Sequence, residues 1–387
     1  MNISILANRP PDPAAKGDQI DLYHKLNSLL GEGHQIHLIL VSFKAIKYSH
    51  PNPLLSVETI RLSFFGVFLF MLQNIFNKRI PFQVALFFSR SAQRVLSQKL
   101  MDISPDCIFI NGSRLGLLAL GNSYPLLTNF IDSLSLNFHR RALIEKNLFL
   151  KLFLKVEERR LFLYENYLAK NSIASWFVSN VDKKFLKLNS AFITPVGVDK
   201  VSSRTNLIRE SNTIIFTGNM NYRPNLDAVY FFIENIWPLI KKGLPSVKFL
   251  IVGRMPPSSL SKYVKRHPSV YVLGEVVSLS EYLNKASVAV APMVSGSGMQ
   301  LKILESMRCG TPIVCTRLGI GDIQADRLSS IFIADTPGKF AESVISLLTN
   351  HDLWSTISNY NINYIHKHHS RAYINQLFLK QFSSINI

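Results

Sequence analysis

Short apolar runs alternate with amphipathic stretches along the whole chain, a pattern of strands and helices in an α/β protein with parallel sheets. Strands are predicted at Ile3–Ala7, His37–Ser42, Cys107–Asn111, Leu126–Ile131, Trp176–Ser179 and Phe192–Pro195. Helices are expected from about Gln19 to Gly31, over residues 89–99, and as one or two long charged helices between Arg140 and Asn171. Residues 195–212 (PVGVDKVSSRTNLIRESN) carry few apolar positions and read as a linker. A second series follows, with strands Thr213–Thr217, Lys248–Val252, Val270–Leu273, Val288–Ala291, Pro312–Cys315 and Ile331–Ile333, interleaved with helices near 225, 278–284, 300–308 and 338–348. The tail from about Asp352 is expected to be helical. The chain therefore reads as two Rossmann-like, doubly wound halves facing a cleft. Residues 1–197 form an N-terminal domain, 198–360 a C-terminal domain, and a helix in 361–387 packs back on the N-terminal one. Such sheets bind ligands at the carboxyl ends of their strands.

Length agrees with two domains, since 387 residues is about twice a common domain size of roughly 100–200. Lys and Arg outnumber Asp and Glu by 43 to 25, a net charge of +18, which favours an anionic partner: nucleic acid, an acidic membrane face or a phosphorylated substrate. Three cysteines without a CxxC imply a reduced, cytoplasmic setting, and the N-terminus lacks the pattern of a secretion signal. The segment Arg61 to Arg79 (RLSFFGVFLFMLQNIFNKR) is interrupted by Gln73 and Asn74 and falls short of the ~20 apolar residues that span a bilayer. It is either a helix packed in the N-terminal domain or one lying in a membrane interface, with Arg61, Lys78 and Arg79 towards lipid phosphates and Arg90, Arg94 and Lys99 close by.

The densest chemistry lies in residues 296–314, GSGMQLKILESMRCGTPIV, where a strand gives way to a glycine-rich turn and a helix. Gly298, Met299 and Gln300 would offer backbone amides to a phosphate at the helix N-terminus. Lys302 and Glu305 share a helix face; a cation at a diphosphate and a carboxylate on ribose hydroxyls suit a nucleotide diphosphate. A solvent-facing Lys–Glu pair is the plainer reading. Gly218, Asn219 and Arg223 follow a second strand, Arg254 a third, and Val276 lies in the loop closing that edge, so several strand ends supply Gly and Arg to one rim. In the N-terminal half, Lys16, Gly17 and Asp18 either hold an acceptor phosphate or make a turn. Asp132, with His139 following, either stabilises charge or deprotonates an acceptor hydroxyl, or else caps a helix. The sequence has no P-loop, HExxH, GxSxG or paired CxxC, and no basic–aromatic interleaving of the kind that marks RNA-binding sheets; no nucleic-acid partner is expected.

The stretches FTGNMNYRPNLDAVYFFIENIWPLI, FLIVGRMP, VYVLGEV and SVAVAPMVSGSGMQLKILESMRCGTPIVCT, with PVGVD at the junction, resemble the retaining family 4 glycosyltransferases (glycosyl transferases group 1). The similarity is greatest to sugar transferases of bacterial polysaccharide and exopolysaccharide clusters, and FIDSLS and EERRLFLYENYLA fit the same subgroup. The resemblance implies a two-domain GT-B fold and transfer of a sugar from a UDP- or GDP-linked donor with retention. It also implies no cofactor and no obligatory metal. The acceptor would be a saccharide, or a polyprenyl-pyrophosphate-linked saccharide at the cytoplasmic membrane face. Glu305 matches the second carboxylate of the family's E-x7-E motif, which holds the donor ribose, while Ser297 stands where the first is expected. Asp132 stands where family members often have a His. An epimerase of the same fold, or an inactive assembly partner, would carry many of the same features.

Overall fold

The computed structural model describes residues 1–13, 17–199, 210–295, 301–321, 323 and 331–387. The chain divides into two units, Met1–Pro195 with Asn375–Ile387, and Val196–Ile374. The first contains seven parallel strands: β1 (Asn2–Ala7), β2 (Gln35–Ser42), β3 (Leu55–Arg61), β4 (Cys107–Asn111), β5 (Leu126–Ile131), β6 (Ala174–Phe177) and β7 (Phe192–Ile193), in the order β3-β2-β1-β4-β5-β6-β7. The second contains six: β8 (Thr213–Thr217), β9 (Lys248–Val252), β10 (Val270–Gly274), β11 (Val288–Ala291), β12 (Ile313–Cys315) and β13 (Phe332–Ile333), in the order β10-β9-β8-β11-β12-β13. Each sheet reverses its winding beside its first strand, between β1 and β4 and between β8 and β11. A crevice at the carboxyl ends of the strands follows from that reversal.

Burial explains the apolar runs. The side chains of β4, β8 and β11 are buried along their whole length, as expected of central parallel strands covered on both faces. In β1, Ile3, Ile5 and Ala7 join one core cluster while Leu6 joins another, the two-residue alternation of a strand sandwiched between helical layers. Strand β3 was not expected. It is an edge strand in which Leu55, Val57 and Thr59 are only partly buried, so its apolar signal is weak. The long charged region is two helices, Leu134–Ile144 and Leu148–Lys170, each capped by a side chain: Ser133 accepts from the Leu136 amide and Asn147 from the Leu150 amide.

The chain passes to the C-terminal unit at Val196 and returns at Asn375. Residues 361–374, expected with the returning helix, stay in the C-terminal unit because Ile365 packs in its core. The helix Arg371–Ser383 then places Phe378 and Phe382 in the N-terminal core beside Phe109 and Trp176. Gln381 fixes it there, accepting from Trp176 Nε1 at 3.1 Å and from Thr194 Oγ1 at 2.6 Å. Among the described residues, no helix is long and apolar enough to cross a membrane.

Candidate functional site

In the C-terminal unit the glycines that follow β8 and β9 and the one that ends β10 bring backbone against backbone. The Gly218 amide donates to Val252 O at 3.0 Å, and the Gly253 amide to Gly274 O at 2.8 Å. A Cβ on Gly253, whose φ is +150°, would lie 1.8 Å from Gly218 O. Gly274 has φ +73° with open space around its Cα. Gly253→Ala should therefore push the β8 and β9 loops apart and lower the thermal midpoint well beyond Gly274→Ala, which bears only a conformational cost of about 1 kcal/mol. Equal midpoints for the two variants would show that this rim is not closely stitched.

The rim frames a buried amide–ammonium pair. Asn225, one turn into the helix Arg223–Phe231, donates to Asn219 O at 2.9 Å and accepts from Lys302 Nζ. Lys302 lies in the first turn of the helix Leu301–Arg308, which follows β11, so the pair joins loops on both sides of the β8–β11 reversal. Its ammonium also lies 4.4 Å from the centre of the Phe216 ring and 3.5 Å from Met293 Sδ. Lys302 is only 8 % exposed, which rules out the solvent-facing reading of the Lys–Glu pair. Burial pulls its pKa down to about 7. Among the described residues no carboxylate pairs with it. A buried cation lacking a counter-charge is costly unless an anion completes it.

Glu305, one turn further along the same helix, is half-buried; burial raises its pKa, against the opposing charge of Arg308. Arg223 does not join this group. Its guanidinium is 79 % exposed and pairs with Asp227 at 2.7 Å, four residues on along its own helix. Arg254 pairs with Glu275 at 2.9 Å at the β9–β10 edge, and Val276 beside them is partly buried against the core. Asn219 makes a local turn, its Oδ1 accepting from the Asn221 amide, and contributes its backbone carbonyl to Asn225. Gly298, Met299 and Gln300, with Ser297, lie outside the described residues.

In the N-terminal unit, the carboxyl ends of β1, β4 and β5 gather four charged side chains. Arg9 and Asp18 pair at 2.8 Å. Asp132 and Arg114 join them electrostatically: burial raises the Asp132 pKa, with Arg114 opposing and Asp18 reinforcing the rise. Burial likewise lowers that of Arg114, against the pull of Asp132. Asp18 and Asp132, predicted separately, thus belong to one cluster, to which the structure adds Arg9 and Arg114. Asp132 does not cap the following helix; Ser133 does. Asp132 is aimed instead by a tight turn at Ile131, whose φ of 68° is rare for a β-branched residue and costs on the order of 1–3 kcal/mol.

Beneath this turn, Glu165 accepts from the hydroxyls of Ser133 and Ser135 and from the amides of Leu134 and Ser135, at 2.6–3.2 Å, and Asp182 accepts from the Ser133 amide at 2.9 Å. Burial pushes these two carboxylates up to about 7 and about 6 respectively. The helix Gly17–Gly31 is tied to the same strands: Lys25 donates to Asp21 and Asn129, and Asn129 donates to Asp21 and Asn111. Gly17 opens that helix, and Lys16 lies outside the described residues. His139 is not part of the cluster. Seven residues beyond Asp132, about two helical turns, it pairs with Glu158 at 2.8 Å and packs on Phe185, tying two helices together.

Residues 211–350 match the family model described as glycosyl transferases group 1. Over its whole length the chain superposes on sucrose-phosphate synthase from Thermosynechococcus elongatus, with a TM-score of 0.70, 14% identity and 99% of each chain covered. It likewise superposes on Anabaena Alr3699/HepE in complex with UDP and glucose, with a TM-score of 0.67, 13% identity and 99% of each chain. A 44.6 kDa protein in the cps region of Klebsiella pneumoniae is 22% identical over 375 residues, 90% of this chain and 91% of that protein. The fold is GT-B, and the stretch that matches the glycosyl transferases group 1 model lies within the C-terminal unit.

Proposed function

We propose that this glycosyltransferase is a retaining, metal-independent enzyme of family 4 that moves a sugar from a UDP- or GDP-linked donor to a saccharide or lipid-linked saccharide during synthesis of a bacterial surface polysaccharide. The observation that carries the donor assignment is Lys302, a buried ammonium beside the β8–β11 reversal with no carboxylate partner among the described residues. A diphosphate supplies the missing charge, and a fixed cation there stabilises the leaving nucleotide as negative charge develops on it. Glu305, on the same helix, accepts from the ribose hydroxyls. The bound UDP of the Anabaena structure and the cps setting of the Klebsiella relative favour a nucleotide-sugar donor and a polysaccharide product. In the N-terminal unit, the Arg9–Asp18–Arg114–Asp132 cluster receives the acceptor, with Asp132 beside the reacting hydroxyl. A polyprenyl-pyrophosphate acceptor would bring the protein to the cytoplasmic face of the membrane.

Thermal melts with UDP and with GDP test the donor site. One of them should raise the midpoint by several degrees at millimolar concentration, since a ligand at 100 times its Kd adds about 2.7 kcal/mol to the folded state. A flat response to both removes the assignment. Turnover of the matching nucleotide-sugar should require an acceptor; an isomerised sugar nucleotide formed without one would point to an epimerase.

A further inference from the structure

Two helices of the N-terminal unit turn apolar side chains outward. On Phe64–Asn74 and the residues just after it, Phe65 is 70 % and Phe76 90 % exposed, with Phe68 and Leu72 beside them. On Leu148–Lys170, Leu148, Phe149, Leu152, Phe153 and Val156 are exposed, with Phe149 at 88 %. Positions 148, 149, 152, 153 and 156 form one stripe along that helix, while Leu154, Glu157 and Leu161 face the core. The two surfaces adjoin: Arg160 donates to Ile75 O at 2.7 Å, and the Phe82 and Phe153 rings meet edge to face with centres 6.2 Å apart. Exposed aromatic and aliphatic side chains gathered in this way on adjoining helices mark an interaction site.

The flanking charge identifies the occupant. Residues 61–80 and 146–156 contain no Asp or Glu, and Arg61, Lys78, Arg79, Lys146 and Lys155 stand exposed around the aromatic side chains. Two copies of this chain meeting face to face would oppose cation to cation, whereas an anionic bilayer satisfies both the rings and the cations. We infer that helices Phe64–Asn74 and Leu148–Lys170 together form a bipartite docking surface for an anionic lipid bilayer, with rings entering the acyl boundary and cations at the headgroups. This extends the membrane side of the proposed function, but it stands on the exposed surface alone.

Sedimentation of the full chain with phosphatidylcholine vesicles, with and without phosphatidylglycerol, tests it. The protein should partition to the phosphatidylglycerol vesicles and come off progressively with salt. Phe65→Asp and Phe149→Asp should each lower partition by about tenfold or more, because each puts a charge where a ring would enter the acyl boundary. Phe149→Trp should blue-shift its fluorescence on the same vesicles. Both Asp variants lie outside the donor site, so their UDP or GDP response and midpoint should match the parent. Partition within twofold of the parent for either Asp variant overturns the inference. So does a dimer that the same changes dissociate while no form binds vesicles. Vesicle binding by a protein that no nucleotide stabilises would leave the docking surface standing and remove the donor reading.

Discussion

Lys302→Met should lower sugar transfer by about 10²-fold or more while leaving the thermal midpoint unchanged or raised. The two effects diverge because the ammonium is buried beside an amide, a thioether and a ring, with no anion among the described residues. Methionine keeps much of the volume and removes the desolvated charge, at the expense of one hydrogen bond to Asn225. Lys25, the other buried lysine among the described residues, sharpens the contrast: its partner Asp21 lies 2.8 Å away, so its charge is already answered. The Lys302 pKa of about 7 lies below the ordinary 10.5 of an unfolded lysine, so the unfolded chain binds more protons between those values. This group's contribution to stability therefore rises with pH from about 7 to about 10.5, and the full cost of the buried charge is borne below about 7. A diphosphate favours the charged form and should draw in a proton on binding near and above pH 7. Titration calorimetry in buffers of different ionisation heat reads that proton directly. Transfer by Lys302→Met within tenfold of the parent, or nucleotide binding without proton uptake at pH 8, would remove Lys302 from the donor site.

Glu305→Ala should weaken nucleotide binding by about 10²–10³-fold, the size expected when a carboxylate gives up two hydrogen bonds to ribose hydroxyls. The parent should prefer UDP or GDP over the 2′-deoxy nucleotide, and the variant should lose that preference. This selectivity separates a ribose contact from a general disturbance of the helix. Burial raises the Glu305 pKa, so donor affinity should begin to fall, as pH drops, sooner than an exposed glutamate would require. An Ala variant that binds both nucleotides as the parent does would place the ribose elsewhere.

Much of this fold was legible from apolar periodicity, because central parallel strands leave continuous hydrophobic runs and each crossover leaves a helical period. Strands β4, β5, β8, β9 and β11 have the limits that the sequence predicted. Edge strand β3 did not show, since its half-buried LSVETIR resembles a loop as much as a strand. The site was legible in part. Lys302 and Glu305 stand together because three residues on a helix place them on one face, a short-range rule. Asn225 escaped because its partner Lys302 is 77 residues away, and Arg114 because its charged neighbours Arg9, Asp18 and Asp132 come from distant parts of the chain. Arg223 has a partner one turn along its own helix, Asp227, a short-range pairing that the spacing of the two residues allows. The outward face of the run NLFLKLFLK was not legible, as composition does not say which face of a helix is outside.

The returning helix Arg371–Ser383 has a bearing on biosynthesis. Residues 196–374 are continuous, so that unit can close on itself as soon as its own residues have left the ribosome. The N-terminal unit is made first, yet Trp176 and Phe109 keep one side uncovered until Phe378 and Phe382 arrive about two hundred residues later. Through that interval the nascent chain presents an open aromatic pocket, a natural target for chaperones, and the half synthesised first is the last to be finished.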